Sequence, residues 1–201
     1  MNNHWNRWIY RLWSPIYDTF FNKGPFLRAR REVFREIPFK KGDKILFVGV
    51  GTGADLEQIP VKLLNITAID YSADMLQQAK NKFPAGEIDF QQMDAQALKF
   101  PDGSFDYVVA SLVLSVVPGT NKAFSEMSRV CQSGGQILIF DKFAAKPSWL
   151  NALFRPIIKV LGTDIGLSFD KIFAGSEGLC ILEDRPVLFG GMYRKIRIGK
   201  S

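Results

Sequence analysis

The chain predicts an α/β fold, a doubly wound sheet of seven strands that closes on an antiparallel C-terminal hairpin. Three observations predict it. Short apolar runs alternate with helical or loop segments between residues 45 and 141, the pattern of a parallel sheet built from βα units. The first of these runs, Ile45-Leu46-Phe47-Val48, continues into Gly49-Val50-Gly51-Thr52-Gly53, whose alternating glycines read as a sharp strand-to-helix turn. The last two apolar runs have no helix between them, so they pair as antiparallel neighbours.

Each element has its own signal. Asn2 to Phe21 reads as one or two helices interrupted at Ser14-Pro15. Trp5, Trp8, Ile9, Leu12 and Trp13 fall on one apolar stripe there, with Arg7 and Arg11 off it. Phe26 to Ile37 is a second helix, strongly basic through Arg28, Arg30, Arg31 and Arg35, and Pro38 with Lys40-Lys41-Gly42-Asp43 loops into the sheet. Strands are expected at 45–50, 66–70, 88–93, 105–111 and 135–141. Helices are expected at 54–59, at 72–82 with Ser72 as N-cap and Met75, Leu76 and Ala79 inward, and at 120–131. An amphipathic helix at 148–161 precedes a strand from Gly178 to Asp184. Pro186 follows, and Val187 to Ile198 forms the last strand.

Composition narrows the function. At 201 residues the chain has room for one core and no second substrate domain, and its 47% hydrophobic content is that of a globular protein. The organisation expected is a basic N-terminal segment, residues 1–44, ahead of a nucleotide-binding domain, residues 45–201. Two separated cysteines and one histidine offer no zinc cluster or other metal site and suit a reducing, cytosolic setting. No apolar run reaches transmembrane length, and no signal-peptide pattern opens the chain. The net charge of +6 is confined to residues 1–44, which carry ten Lys/Arg against four Asp/Glu, while residues 45–201 balance at sixteen of each. Such asymmetry points to an acidic partner surface, nucleic acid or anionic lipid.

The glycine turn defines the ligand class. With no Cβ at residues 49, 51 and 53, a ligand can lie against the backbone, and Asp70, at the tip of the next strand, is placed to accept both ribose hydroxyls. The constellation therefore fits an adenosine-containing cofactor. A dinucleotide site would carry G-x-G-x-x-G; here the spacing is G-x-G-x-G, and Asp55 near the helix start is poorly matched to a diphosphate. A P-loop is excluded because no Gly-Lys-Ser/Thr follows, and the Tyr-x-x-x-Lys of short-chain dehydrogenases is missing.

This spacing resembles motif I of the class I S-adenosylmethionine (SAM) dependent methyltransferases, whose Rossmann-like sheet ends in the same antiparallel hairpin. The resemblance implies a cofactor site of Gly49, Val50, Gly51, Thr52 and Gly53 beside the methionine half, Asp70 on the ribose, and Tyr71 near the adenine. Met75 joins the site, Asp94 with Ala95 takes the adenine amino group, and Ser111 and Leu112 lie beside the transferable methyl. Phe47 departs from the family, which usually carries Glu or Asp there to hold the methionine ammonium. On that reading Phe47→Glu tightens SAM binding.

The acceptor is indicated by other segments. Methylases of nucleic-acid amino groups carry Asp/Asn-Pro-Pro-Tyr/Phe after the fourth strand. Ser111-Leu-Val-Leu-Ser-Val-Val-Pro118 has no aromatic to stack on a base, so no nucleic acid is expected. Tryptophans interleaved with arginines suit an anionic membrane surface, although the same N-terminal helix also reads as a cap closing over the cofactor. Trp13-Ser-Pro-Ile-Tyr17-Asp18, Val48 to Gly53, Ile69 to Met75, Met93 to Ala97, Leu114 to Pro118 and the tail Glu183-Asp-Arg-Pro to Arg194 form an ordered series. Together they look like the small bacterial phosphatidylethanolamine N-methyltransferases.

That resemblance implies a cytoplasmic enzyme, peripheral on the inner membrane face, acting on a phospholipid. Tyr17, Asp18 and Asp141 become candidate catalytic proton acceptors, Tyr17 equally a packing residue. Arg28, Arg30 and Arg31 become candidates for the lipid phosphate or equally a solvated helix face, and the 148–161 helix an acyl-chain cover or simply core. Asp141-Lys142-Phe143 stands where that family carries Asn-His-Phe. Two alternatives stay open: a methyltransferase for another small apolar acceptor (quinone, thiol or amine), and a catalytically weak SAM- or membrane-binding module.

Overall fold

The computed structural model describes residues 22–83, 86–143 and 167–201. The expected helices at 2–21 and 148–161 lie outside the described residues. Seven strands form one sheet in the order β3-β2-β1-β4-β5-β7-β6. They are β1 (Lys44–Val48), β2 (Asn65–Asp70), β3 (Ile88–Gln92), β4 (Phe105–Ser111), β5 (Cys131–Lys142), β6 (Leu179–Leu188) and β7 (Tyr193–Lys200). The first five are mutually parallel, and β7 runs antiparallel between β5 and β6.

Among the described residues four helices accompany the sheet: α1 (Gly24–Phe34), α2 (Ala73–Lys82), α3 (Thr120–Val130) and the short α4 (Phe169–Phe173). Alternate residues of the strands feed two cores, one on each face. Ile45, Phe47, Val109, Leu138 and Phe140 meet Phe26, Val33 and Phe34 of α1 and Leu76 of α2. Leu46, Val48, Val108, Ala110, Ile137 and Ile139 meet Phe124 and Met127 of α3 and Phe169 of α4. Ser72 caps α2 as expected, its hydroxyl accepting from the Met75 N–H at 3.3 Å.

Three expectations are corrected. The helix expected at 54–59 is only a 3-10 turn, Leu56–Gln58, cut short by Pro60. The strand expected at 135–141 begins at Cys131, with a register irregularity against β4 between Phe105 and Tyr107. The hairpin does not turn at Pro186, which lies inside β6; the turn is Phe189–Gly191, with positive φ at all three residues. Proline is tolerated in β6 because β6 is an edge strand and its missing N–H breaks no inner ladder. The basic helix also begins and ends slightly earlier than the expected 26–37.

Candidate cofactor site

In this sheet the strand order reverses between β1 and β4, and a cleft opens there at the carboxyl ends of β1, β2 and β4. It measures about 810 Å³ including its open mouth. Nine of the expected cofactor residues line it: Gly49, Gly51, Asp70, Tyr71, Met75, Asp94, Ala95, Ser111 and Leu112.

The turn after β1 explains why glycine stands at residue 49. Its φ is +68°, and a Cβ there would come within 2.5 Å of Val113 Cγ2 across the cleft. Val50, Thr52 and Gly53 belong to the same turn but do not line the cleft. Val50 is buried beneath the sheet, and Thr52 Oγ1 accepts from Asn22 Nδ2 at 3.2 Å. Gly53 makes room for α2, since a Cβ on it would meet the Phe83 ring at 3.0 Å.

Asp70 is aimed by backbone. The Gly51 N–H donates to its Oδ2 at 2.9 Å and the Ser72 N–H to its Oδ1 at 2.8 Å, so the carboxylate spans the gap between the first two strand ends. Burial pushes its carboxyl up, and the N–H groups of Ser72, Gly51 and Tyr71 oppose that shift. Each carboxylate oxygen keeps further lone-pair capacity for a ligand hydroxyl. Asp94 is steadied by Gln96, whose N–H lies 2.9 Å and whose amide Nε2 3.1 Å from Oδ1. Gly119 permits this, because a Cβ there would collide with Gln96 Oε1 at 2.3 Å. Sequence reasoning missed Gln96 as a holding residue; the Asp-x-Gln spacing, an Asx turn, is the signal that carries it.

The far wall comes from the end of β4. Leu112 is one of two non-glycine residues at positive φ among the described residues, at +56°, fixed by its N–H donating to the Phe140 carbonyl at 2.7 Å. Ser111 is buried, and its hydroxyl has no hydrogen-bond partner among the described residues. Val113, Val116, Val117 and Pro118, from the segment that bears on the acceptor in the sequence, complete an apolar wall.

Other expected residues fall elsewhere. Asp141 does not line the cleft. It is fully buried at the end of β5, accepting from the N–H groups of Ser115 at 3.2 Å and Lys142 at 2.8 Å, and burial pushes its carboxyl up. Tyr17 and Asp18 lie outside the described residues. Arg30 cannot serve a lipid phosphate, because its guanidinium is buried on the Asp55 carboxylate; Arg28 and Arg31 are exposed. Phe47 faces α1, 2% exposed, with its ring 6.3 Å from that of Phe34, and takes no part in the cleft. A glutamate there would be buried in an apolar core, so the expected gain in cofactor binding is withdrawn.

The cleft fits an adenosine cofactor: an aimed carboxylate, a turn stripped of Cβ atoms, and an orphaned hydroxyl on an otherwise apolar wall. Among the described residues no group of His, Cys, Asp and Glu could hold a metal ion.

Comparisons with known proteins agree with this geometry. Residues 46–139 match the model of the methyltransferase domain family. A phosphatidylethanolamine N-methyltransferase of Cereibacter sphaeroides is 34% identical over 197 residues, 94% of each chain. A demethylmenaquinone methyltransferase of Renibacterium salmoninarum is 36% identical over 131 residues, 64% of this chain and 54% of that one. Among solved structures, a putative methyltransferase of Haloferax volcanii, in complex with the Trm112 activator, superposes with a TM-score of 0.78. It is 14% identical, over 100% of this chain and 99% of its own. A phosphoethanolamine N-methyltransferase of Haemonchus contortus, solved with S-adenosylhomocysteine, gives 0.69 at 23% identity, over 84% of this chain and 42% of its own. With the sheet order, the glycine turn and a near full-length relative in agreement, the chain belongs to the class I SAM-dependent methyltransferases.

Proposed function

We propose that this methyltransferase N-methylates the headgroup of phosphatidylethanolamine at a membrane surface. The observation that carries the reading is the likeness to a phosphatidylethanolamine N-methyltransferase along 94% of both chains. The cleft supports it: the wall from Leu112 to Pro118 is apolar, without an aromatic platform for a base. No helix among the described residues is long and apolar enough to cross a membrane. In this reading lipid is met through the basic N-terminal segment, with exposed Arg28 and Arg31.

In this reading Asp70 takes the ribose hydroxyls, Tyr71 stacks near the adenine, Asp94 accepts from its amino group, and the Gly49–Gly51 backbone lies along the methionine half. Ser111 and Leu112 face the reacting end. SAM, when bound, supplies a methyl already activated on a sulfonium. The chain's own task is alignment of the acceptor and removal of a proton from its amine, which is mostly protonated near neutral pH. Tyr17 and Asp18 are the proposed proton acceptors. Asp141, sealed behind Ser115, holds the segment after β4 in place.

A second reading, methylation of a quinone, is favoured by the demethylmenaquinone methyltransferase relatives and by the same apolar wall. Lipid mass spectrometry separates the two. The chain and a Gly51→Asp control, which puts a side chain into the cleft at a backbone φ of +57°, are expressed in a bacterium that makes phosphatidylethanolamine but no phosphatidylcholine. Phosphatidylethanolamine gaining one to three methyls only with the intact chain is the expected result. An unchanged lipid profile from folded protein would remove this acceptor in favour of quinones.

A further inference from the structure

The glycine turn is gripped from outside the sheet. In a doubly wound unit a helix of several turns ordinarily follows such a turn and steadies it. Here the chain makes only the 3-10 turn Leu56–Gln58 before Pro60. Two residues past Gly53, the Asp55 carboxylate receives the Arg30 guanidinium of α1, with side chains only 6% and 5% exposed. On the other side of Gly53, Thr52 receives the Asn22 amide just ahead of α1. α1 thus clasps the turn on both flanks of a residue whose φ is +83°.

We propose that Arg30 and Asp55 are positioning residues of the cofactor site: their ion pair replaces the missing helix in fixing the glycine turn, and so couples cofactor binding to α1. A buried ion pair is a weak source of net stability, because desolvating both charges offsets most of their attraction. What it provides is direction, since a planar guanidinium bonds a carboxylate in few geometries. A turn with three glycines has backbone freedom that such a directional bond removes. The linkage is reciprocal: if α1 steadies the turn for the cofactor, the cofactor steadies α1, the described helix of the basic N-terminal segment. This inference rests on the cofactor reading of the turn and not on the identity of the acceptor.

The test is the double variant Arg30→Met with Asp55→Leu, which fills the same space without charge. Circular dichroism and the thermal midpoint are expected to stay near the parent. The Kd for S-adenosylhomocysteine by calorimetry is expected to rise at least about tenfold, within the range of linked sites. The loss in turnover should fall on KM for SAM more than on kcat. A folded double variant with the parent's Kd would overturn the proposal. Should the variant not fold, hydrogen exchange on the parent chain decides. S-adenosylhomocysteine should slow exchange in residues 24–34 together with 49–58, and an α1 indifferent to it overturns the coupling. A parent chain that binds S-adenosylhomocysteine but leaves phosphatidylethanolamine unmethylated would sink the lipid reading alone.

Discussion

Asp141 titrates from inside the core, and that gives it a pH signature. Burial raises its carboxyl, while the Ser115 and Lys142 N–H groups pull the other way; the neighbouring Tyr193 phenol is pushed up to about 12, mainly by its own burial. An acid raised on folding binds its proton more tightly in the native state. Its stabilising share is therefore present in acid and lost as pH rises through the ordinary carboxylate range. Asp141→Asn keeps an acceptor for Ser115 and removes the titration. Urea unfolding of both proteins should show the variant gaining on the parent as pH rises above the ordinary carboxylate range. A stability difference flat in pH would count against this account. Phe47 makes the opposite case, an apolar residue where the family resemblance leads one to expect an acid. Phe47→Glu should lower unfolding stability by about 3 kcal/mol or more, measured by the same titration, because the carboxylate gains no partner beside Phe34.

Among the elements, α2 does more for the site than its distance from the chemistry suggests. Its N-cap, Ser72, sits two residues after Asp70, and the Ser72 N–H donates to that carboxylate while its hydroxyl caps the helix. Ser72→Ala is expected to cost about 1 kcal/mol of stability, as cap losses do. It should also weaken cofactor binding by less than Asp70→Asn does, a ranking calorimetry can check.

How far each element was legible follows from where its signal lies. β1, β2 and β4 announce themselves as short β-branched runs, and Ser72 before an apolar period marks α2 within a residue. The helix at 54–59 was misread because Ala54-Asp55-Leu56 looks like a helix start. Burial of Asp55 on Arg30, 25 residues earlier, is invisible to local pattern. The hairpin turn was misplaced for a similar reason: Pro186 reads as a breaker until the topology makes β6 an edge. In the cleft, residues with chemistry are readable; the valines after β4 are legible as an apolar acceptor segment but not as part of the cofactor wall, because that depends on where the strand stops.

At the scale of the whole molecule, the cofactor should stabilise the fold through mass action. A ligand at about 100 times its Kd adds about 2.7 kcal/mol, which for a domain of this size moves the melting midpoint by roughly 5–10 °C. A thermal-shift titration with S-adenosylhomocysteine checks this, and no shift at saturating ligand would contradict the assignment of the cleft. One edge of the sheet, β6, is guarded by its own irregularity. β6 carries Pro186 and register shifts after Ile181 and after Pro186, irregularities that discourage another strand from adding there.

The place of β7 has a consequence for synthesis. Residues 193–200 lie inside the sheet, with Ile137 paired to Ile198 and Ile139 to Ile196. The ribosome therefore delivers β5 some sixty residues before the strand that covers its flank. Throughout that interval the nascent chain carries a bare, isoleucine-rich edge beside a half-built core, the kind of surface that chaperones hold and neighbouring nascent chains capture. Translation speed through the segment between β5 and β7 thus bears on the yield of folded enzyme, although none of its described residues lines the cofactor cleft.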